Sequence, residues 1–171
     1  MNTARILILI GAILTLLSTF LFAFTYISGD FYLSGIGFIQ NTPDVFENPS
    51  YYESIMDVPF YFVLILYFIF FIFMLSGLFQ LVGLKSRGLA IFGSILPLLF
   101  SIFLILLAFE ALDIDFYKYM NMFIKEAFVE DVLPFHLNVG DAPIGELSLG
   151  TYLLLGGGAL GFVGAILGPE D

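Results

Sequence analysis

Long apolar runs separated by short polar segments make up this chain. Four runs of 21 to 27 residues contain no Asp, Glu, Lys, Arg or His. A helix needs about 20 residues to cross the hydrocarbon core of a bilayer, and a segment in lipid must bond its own backbone polar groups. The pattern therefore predicts an all-α integral membrane protein, with one domain of four transmembrane helices over residues 1–171. The predicted spans are Ile6–Ile27, Val58–Leu84, Gly88–Phe109 and Leu147–Leu167.

The composition agrees with a membrane protein and restricts its chemistry. Apolar residues make up 60% of the chain and charged residues 12%, with a mean hydropathy of +1.05. Soluble domains carry about a quarter charged residues. The chain has no cysteine and one histidine, His136, which excludes disulfides and cysteine-ligated clusters. We therefore expect no enzyme activity, no cofactor and no metal centre. The first run is too long for the core of a signal peptide, so we predict an uncleaved helix.

Basic residues predict the orientation, because Lys and Arg near helix ends favour the cytoplasmic side. Arg5 precedes the first span, and Lys85 and Arg87 lie in the three-residue turn 85–87 between the second and third spans. These positions predict a cytoplasmic N-terminus and, with four spans, a cytoplasmic C-terminus. The outer loops are then residues 28–57 and 110–146. Most tyrosines fall near this outer side, as in an interfacial aromatic belt.

The outer loops carry the acidic excess of the chain. The net charge is −10, and the two outer loops hold −5 and −6 of it, partly offset on the inner side. An acidic face attracts cations and repels nucleic acid, so no nucleic-acid partner is expected. The face is either a solvated surface or a vestibule that collects cations. The candidate vestibule residues are Glu110, Asp113 and Asp115, which also fit a helix cap at the membrane boundary.

The first and third spans begin alike, which predicts an internal duplication. Arg5–Leu17 aligns without gaps on Arg87–Leu99, with seven of thirteen positions identical. The shared spacing from Arg to Gly is more informative than the Leu and Ile matches, which apolar sequence produces by chance. The alignment predicts two helical hairpins in parallel orientation, related by an axis along the membrane normal.

Small residues mark the predicted packing faces, because lipid supplies no hydrophobic drive for helix association and close approach must replace it. Five glycines of the fourth span fall on one stripe and form two GxxxG pairs. Their partner is either another helix of the same chain or the fourth helix of a second copy. Gln80 is the only amide in any span, and we expect it to bond between helices, although polar groups at membrane depth also mark functional sites. The predicted packing residues are Gly150, Gly157, Gly161, Gly164 and Gly168, with Ala12, Thr15, Thr19, Ser94 and Ser101.

Two further segments have a distinctive pattern. Rings surround the second span, which suits contact with lipid or with a large partner protein. In the second outer loop, Asp115–Glu130 has apolar residues at three- and four-residue spacing, which predicts an amphipathic α-helix. That helix would lie in the outer headgroup region, roof the bundle or dock a partner.

These patterns support two functional hypotheses. The first is a non-catalytic membrane scaffold or accessory subunit that binds a protein partner, or copies of itself, through its transmembrane helices. The second is an oligomeric pore or carrier for cations or small neutral solutes, for which the acidic loops and small-residue faces would serve. Uncharged spans weigh against proton coupling.

The layout is similar in outline to tetraspan proteins such as tetraspanins and claudin-like proteins. The chain has neither Cys nor Trp, so it lacks the Cys-Cys-Gly motif of the former and the signature of the latter. No site residue is carried over. With no targeting extension before Arg5, we expect the plasma membrane of a prokaryote.

Overall fold

The computed structural model describes residues 2–28, 31–109, 111, 114–126, 133–141 and 146–168, and it is mostly helical (77%). Seven α-helices lie within these residues. They are α1 (Thr3–Leu21), α2 (Gly35–Glu47), α3 (Pro49–Met56), α4 (Phe60–Met74), α5 (Ser76–Val82), α6 (Arg87–Ala108) and α7 (Leu149–Leu167).

Three of these helices are long and apolar enough to cross a membrane. They are α1, α6 and α7, of 19, 22 and 19 residues. A fourth span is counted when α3 and α4 are taken together, although these two helices meet at an angle of 91°. The prediction of a helical protein with membrane-length apolar segments is confirmed at this level.

The second apolar run is not one continuous helix. α4 begins after Pro59, and Leu75 separates it from α5 with φ −84° and ψ −3°. The Leu75 N–H donates both to the Phe71 carbonyl (3.3 Å) and to the Ile72 carbonyl (3.1 Å), a local tightening of the helix. Ser76 and Gly77 follow at once, and such pairs commonly mark helix breaks. The prediction of one continuous helix over Val58–Leu84 is therefore wrong. The run forms two helices, and both of its outer ends differ from the predicted ones.

The first and last runs each contribute residues to a β-sheet. α1 ends at Leu21 and is followed by the strand β1 (Ala23–Ser28), while Leu147 belongs to a strand that precedes α7. Most side chains from Phe22 to Ile27 are aromatic or β-branched, and such residues favour strands where a partner strand is available. The predicted helix Ile6–Ile27 is therefore wrong from residue 22 onward, and the predicted helix Leu147–Leu167 begins two residues too early.

The sheet joins the two outer loops. All its strand pairs are antiparallel, and Tyr26 of β1 pairs with Tyr32 on one side while Thr25 pairs with Leu147 on the other. The sequence pattern predicted no strands, so this sheet is an addition to the expected all-α architecture. The remaining strands are β2 (Phe31–Ser34), β3 (Ile124–Glu126), β4 (Asn138–Asp141) and β5 (Glu146–Ser148), in the order β3-β2-β1-β5-β4.

The second outer loop does not form the predicted α-helix over Asp115–Glu130. It forms a 3₁₀ helix over Ile114–Phe123 and then strand β3, and residues 127–130 lie outside the described residues. The Asn41 side chain donates to the carbonyls of Met122 (3.1 Å) and Ile124 (2.9 Å). These hydrogen bonds occupy the Met122 and Ile124 carbonyls, and β3 pairs with β2. Both interactions keep the segment from forming an α-helix. The segment still buries Phe123 over the bundle.

Helices α1, α7, α6 and α5 close into a ring in that order, each packed on its neighbours. Helix α4 stays outside this ring. It meets the bundle through stacked rings, with the Phe73 and Phe100 centroids 4.3 Å apart. The outer half of the protein is therefore held by a cluster of buried rings, which are Phe24, Phe38, Phe70, Phe73, Phe100 and Phe123.

The start of α1, the end of α7 and Arg87 lie together at one end of the bundle. The Arg87 guanidinium donates to the carbonyl of Ile166 near the end of α7 (3.1 Å). A side chain at Gly164 of α7 would lie 2.7 Å from the carbonyl of Ala4, near the start of α1. The sheet and the 3₁₀ helix lie at the other end. All helix ends that carry Lys or Arg therefore face the same side.

Two adjacent glycines of α7 provide a matched test of this packing. We expect Gly157→Ala to destabilise the protein by about 1–3 kcal/mol, because a Cβ there would lie 2.8 Å from the Gly11 carbonyl and equally close to the Thr15 nitrogen. Gly156→Ala should be neutral or stabilising by up to about 1 kcal/mol, because the nearest atom to its Cβ is 4.0 Å away. Thermal unfolding of both variants in the same detergent measures the difference. Equal effects of the two variants would contradict this arrangement.

Candidate functional site

The glycine stripe of α7 faces the other helices of the same chain. Gly157 and Gly164 lie against α1, while a Cβ at Gly161 would meet Ser94 Oγ of α6 (2.5 Å) and Gln80 Oε1 of α5 (2.7 Å). A Cβ at Gly150 would collide with the carbonyl of Ala23. The stripe therefore packs within the chain and not against a second copy.

Gly168 is placed differently from the other four. No atom lies within 4 Å of the position its Cβ would take, and its φ is +81°. It follows α7 as the residue that ends the helix, a position that favours glycine because of its positive φ. The small residues of the first and third spans, by contrast, are all buried, namely Ala12, Thr15, Thr19, Ser94 and Ser101.

A polar cluster lies at the centre of the helix ring. The fully buried Gln80 of α5 donates from Nε2 to Thr15 Oγ1 on α1 (3.1 Å) and to the Gly93 carbonyl on α6 (3.1 Å). Ser94 donates to its own helix at the Ala90 carbonyl (2.6 Å). Since Gly161 of α7 lies against Gln80, this one side chain of α5 touches the other three helices of the ring. The cluster therefore links the four helices together.

Two oxygens of this cluster keep unused bonding capacity. Gln80 Oε1 and Ser76 Oγ have no hydrogen-bond partner among the described residues. A buried polar atom without a partner costs about 1–3 kcal/mol, so the cluster is stabilised by three hydrogen bonds and weakened by two unsatisfied groups.

Helix α4 presents an exposed apolar face rich in rings. Eight of its 15 residues are aromatic, and it contains none of the small residues that α1, α5, α6 and α7 use for close packing. Its outward side chains are more than one-third exposed. They are Tyr61, Phe62, Ile65, Phe68, Ile69, Phe71 and Ile72.

The outer end carries a polar cavity of about 540 Å³ between α2, α3, the 3₁₀ helix and the sheet. Its lining combines the Asp44 carboxylate, the Asn48 and Asn121 amides and the rings of Tyr51 and Phe31. Sequence reasoning did not find this cavity, because its residues come from both outer loops and meet only in the folded chain.

Asp44 is already engaged inside the cavity. Its carboxylate accepts hydrogen bonds from the Asn48 amide and from Tyr52 Oη (3.0 Å). Burial of the Tyr52 phenol, followed by this hydrogen bond and the nearby charge of Asp44, raises the pKa of Tyr52 above its ordinary value. The phenol therefore remains a neutral donor to the carboxylate at neutral pH.

The candidate cation vestibule falls largely outside the structure. Glu110 and Asp113 lie outside the described residues, and Asp115 is described only as backbone in the 3₁₀ helix. In the described part of the chain, no group of three His, Asp or Glu side chains could hold a metal ion. His136 packs between the rings of Tyr26 and Tyr32, at 5.4 Å from each.

No protein-family model, no curated protein and no solved structure matches this chain.

A double-mutant cycle tests the central crosslink. We expect Gln80→Leu and Thr15→Val to be coupled by about 0.6 kcal/mol, the average measured for hydrogen bonds between membrane helices, and by no more than about 1.7 kcal/mol. Thr19→Val is the matched control, because the Thr19 hydroxyl bonds to the Thr15 carbonyl of its own helix (2.8 Å). Unfolding in mixed micelles measures the free energy of unfolding of the wild type, the two single variants and the double variant. Additive effects of Gln80→Leu and Thr15→Val would show that the bond is not formed.

The alkaline stability of the outer end should depend on Tyr52. Because its pKa is raised in the folded protein, the stability it contributes is complete below about pH 10, its unfolded value, and is lost as the pH rises toward the folded value. Tyr52→Phe should cost about 1 kcal/mol at pH 7 through the lost hydrogen bond and should weaken the alkaline decline. Tyr51→Phe, at a half-exposed ring (50%), is the control. An unchanged alkaline decline in Tyr52→Phe would refute the assignment.

Proposed function

We propose that this protein is a non-catalytic scaffold or accessory subunit of a membrane complex, and that it binds a transmembrane helix of another subunit through the outward face of α4. The observation that carries the proposal is the exclusion of α4 from the helix ring together with its row of exposed rings. Aromatic side chains supply large contact areas and are enriched among residues that dominate binding energy.

The acidic outer loops indicate the charge of that partner. With −5 and −6 on the two loops, a partner with basic outer segments would be attracted and oriented before its helix reached α4. In this arrangement the N-terminus and the turn 85–87 face the cytoplasm of a prokaryotic cell, as their basic residues predict. With four spans, the C-terminus lies on the same side.

A non-catalytic role fits the described polar groups. The Asp44 carboxylate in the outer cavity already accepts two hydrogen bonds, and the Gln80 amide bonds to two helices. Both groups hold the protein together. A hydrolytic site would instead require a nucleophile within reach of a base.

An origin by duplication of a helical hairpin supports the same architecture. The aligned glycines Gly11 and Gly93 occupy comparable positions, since a Cβ at Gly11 would lie 2.6 Å from the nitrogen of Gly161 on α7, and one at Gly93 would lie 2.7 Å from the nitrogen of Gln80 on α5. The first helix of each predicted hairpin thus packs closely on the second helix of the other hairpin, α1 on α7 and α6 on α5. Exchange of α1 with α6 and of α5 with α7 preserves the order of the ring.

An oligomeric pore or carrier is the second candidate. The unsatisfied oxygens Gln80 Oε1 and Ser76 Oγ favour it, because unpartnered polar groups at membrane depth suit a solute or ion path. The close contact of α1 with α7 at Gly11 and Gly157 leaves no room for a path between those two helices. A pore would therefore require several copies of the chain.

Gentle solubilisation from the native membrane tests the scaffold. We expect a stoichiometric partner in the native complex, and we expect Phe68→Ala combined with Phe71→Ala to weaken its retention about tenfold or more, equivalent to about 1.4 kcal/mol. The measurement is the native mass of the complex with its subunits identified.

Phe92→Ala is the matched control, because Phe92 is a similarly exposed ring (46%) on α6. It should leave the complex intact. A lone 19.0 kDa chain, or a partner retained equally by the double variant, would contradict the scaffold. A homo-oligomer of defined size that conducts ions in liposomes would favour the pore.

A further inference from the structure

An apolar groove of about 620 Å³ separates α4 from α6. Its walls are Phe62, Leu66 and Phe70 on α4 and Phe103 on α6, and Tyr119 of the 3₁₀ helix covers its outer end. The volume lies within the range of about 300–1,000 Å³ found for small-molecule sites. Phe62 and Ile65 of the exposed face also line this groove, whereas Phe68 and Phe71 do not.

The groove reaches only about halfway through the membrane. Eight positions separate Phe62 from Phe70, which corresponds to about 12 Å along a helix, and one leaflet contributes about 15 Å of hydrocarbon. Below this depth the ring of Phe100 closes the space, at 6.3 Å from the ring of Phe70 and 4.3 Å from that of Phe73. The groove thus matches the depth of a single leaflet.

This shape selects a lipid chain over a protein helix. A transmembrane helix is about 10–12 Å wide and crosses both leaflets, so a groove that is blocked at mid-depth by stacked rings cannot accept it along its length. An acyl chain is narrow and ends near the bilayer centre. It would fill an apolar groove that is open toward the lipid and closed at the level of Phe100.

The outer end of the groove carries a positive charge. Lys118 Nζ lies 5.4 Å from the centroid of the Tyr119 ring, and Tyr119 lines the groove. In the sequence of the two strongly acidic outer loops, Lys118 and Lys125 are the only basic residues. A lysine at the headgroup level attracts an anionic phosphate, whereas the surrounding carboxylates repel it.

We infer that this groove is a binding site for one phospholipid of the outer leaflet, with an acyl chain between α4 and α6 and its phosphate paired with Lys118. The lipid would fill the space between α4 and the rest of the bundle. The site is tested separately from the proposed protein partner, since Phe68 and Phe71, which test that partner, do not line the groove.

Native mass spectrometry of the delipidated chain, titrated with palmitoyl-oleoyl phosphatidylglycerol in mixed micelles, tests this site. We expect one tightly bound lipid per chain. Leu66→Trp, which fills the groove, should weaken binding about tenfold or more, and Lys118→Gln should weaken it about threefold, as for a partly exposed ion pair. Diacylglycerol with the same chains should bind the wild type more weakly than the phospholipid and should bind Lys118→Gln unchanged.

Two matched variants serve as controls. Ile69→Trp adds the same bulk to an exposed position of α4 (51%) outside the groove lining, and Lys125→Gln removes the other outer cation. Both should bind phosphatidylglycerol like the wild type. The inference is overturned if Leu66→Trp binds lipid normally, if diacylglycerol and phospholipid bind the wild type equally, or if free glycerol phosphate displaces the lipid. If Leu66→Trp does not fold, Lys118→Gln with the two lipids still decides the question.

Discussion

Close contact between α1 and α7 is the constraint on which the rest of the protein depends. Lipid tails are as apolar as leucine side chains, so helices in a bilayer gain little from burying apolar surface and must gain from direct packing. Glycines provide it here, because Gly157 and Gly164 of α7 bring its backbone against the carbonyls of Gly11 and Ala4. Gln80 then adds hydrogen bonds to α1 and α6 from inside the ring.

Helix α4 is excluded from this ring by its own composition. Its sequence from Phe60 to Met74 contains no Gly, Ala, Ser or Thr, so its backbone cannot approach a neighbour as closely as α7 approaches α1. Its rings instead pack on other rings, most tightly Phe73 on Phe100. The same bulky side chains therefore determine two features together, the groove on one side of α4 and the exposed aromatic face on the other.

The sequence predicted the features that arise within one helix and missed those that require two distant segments. Apolar run length located both ends of α6 and α7 to within two residues and the start of α1 to within three, since a span is a local property. The sheet was missed because Thr25 pairs with Leu147 across most of the chain. One local signal was available, because the two residues Gly29-Asp30 between aromatic and β-branched segments are typical of a hairpin turn. The 3₁₀ helix could not be predicted, since the bonds from Asn41 to the carbonyls of Met122 and Ile124 join different loops.

Exposed rings alone do not identify a binding face in a membrane protein, because lipid covers them without cost. Leu99 on α6 is as exposed (60%) as Phe68 on α4 (58%), yet α6 is held on two sides by α5 and α7. What distinguishes α4 is that its main attachment is an aromatic cluster in the outer half, so its outward face and its groove both remain available. Phe68 and Phe71, which the proposed protein partner would contact, do not line the groove, and the proposed phospholipid would occupy the groove beside Leu66.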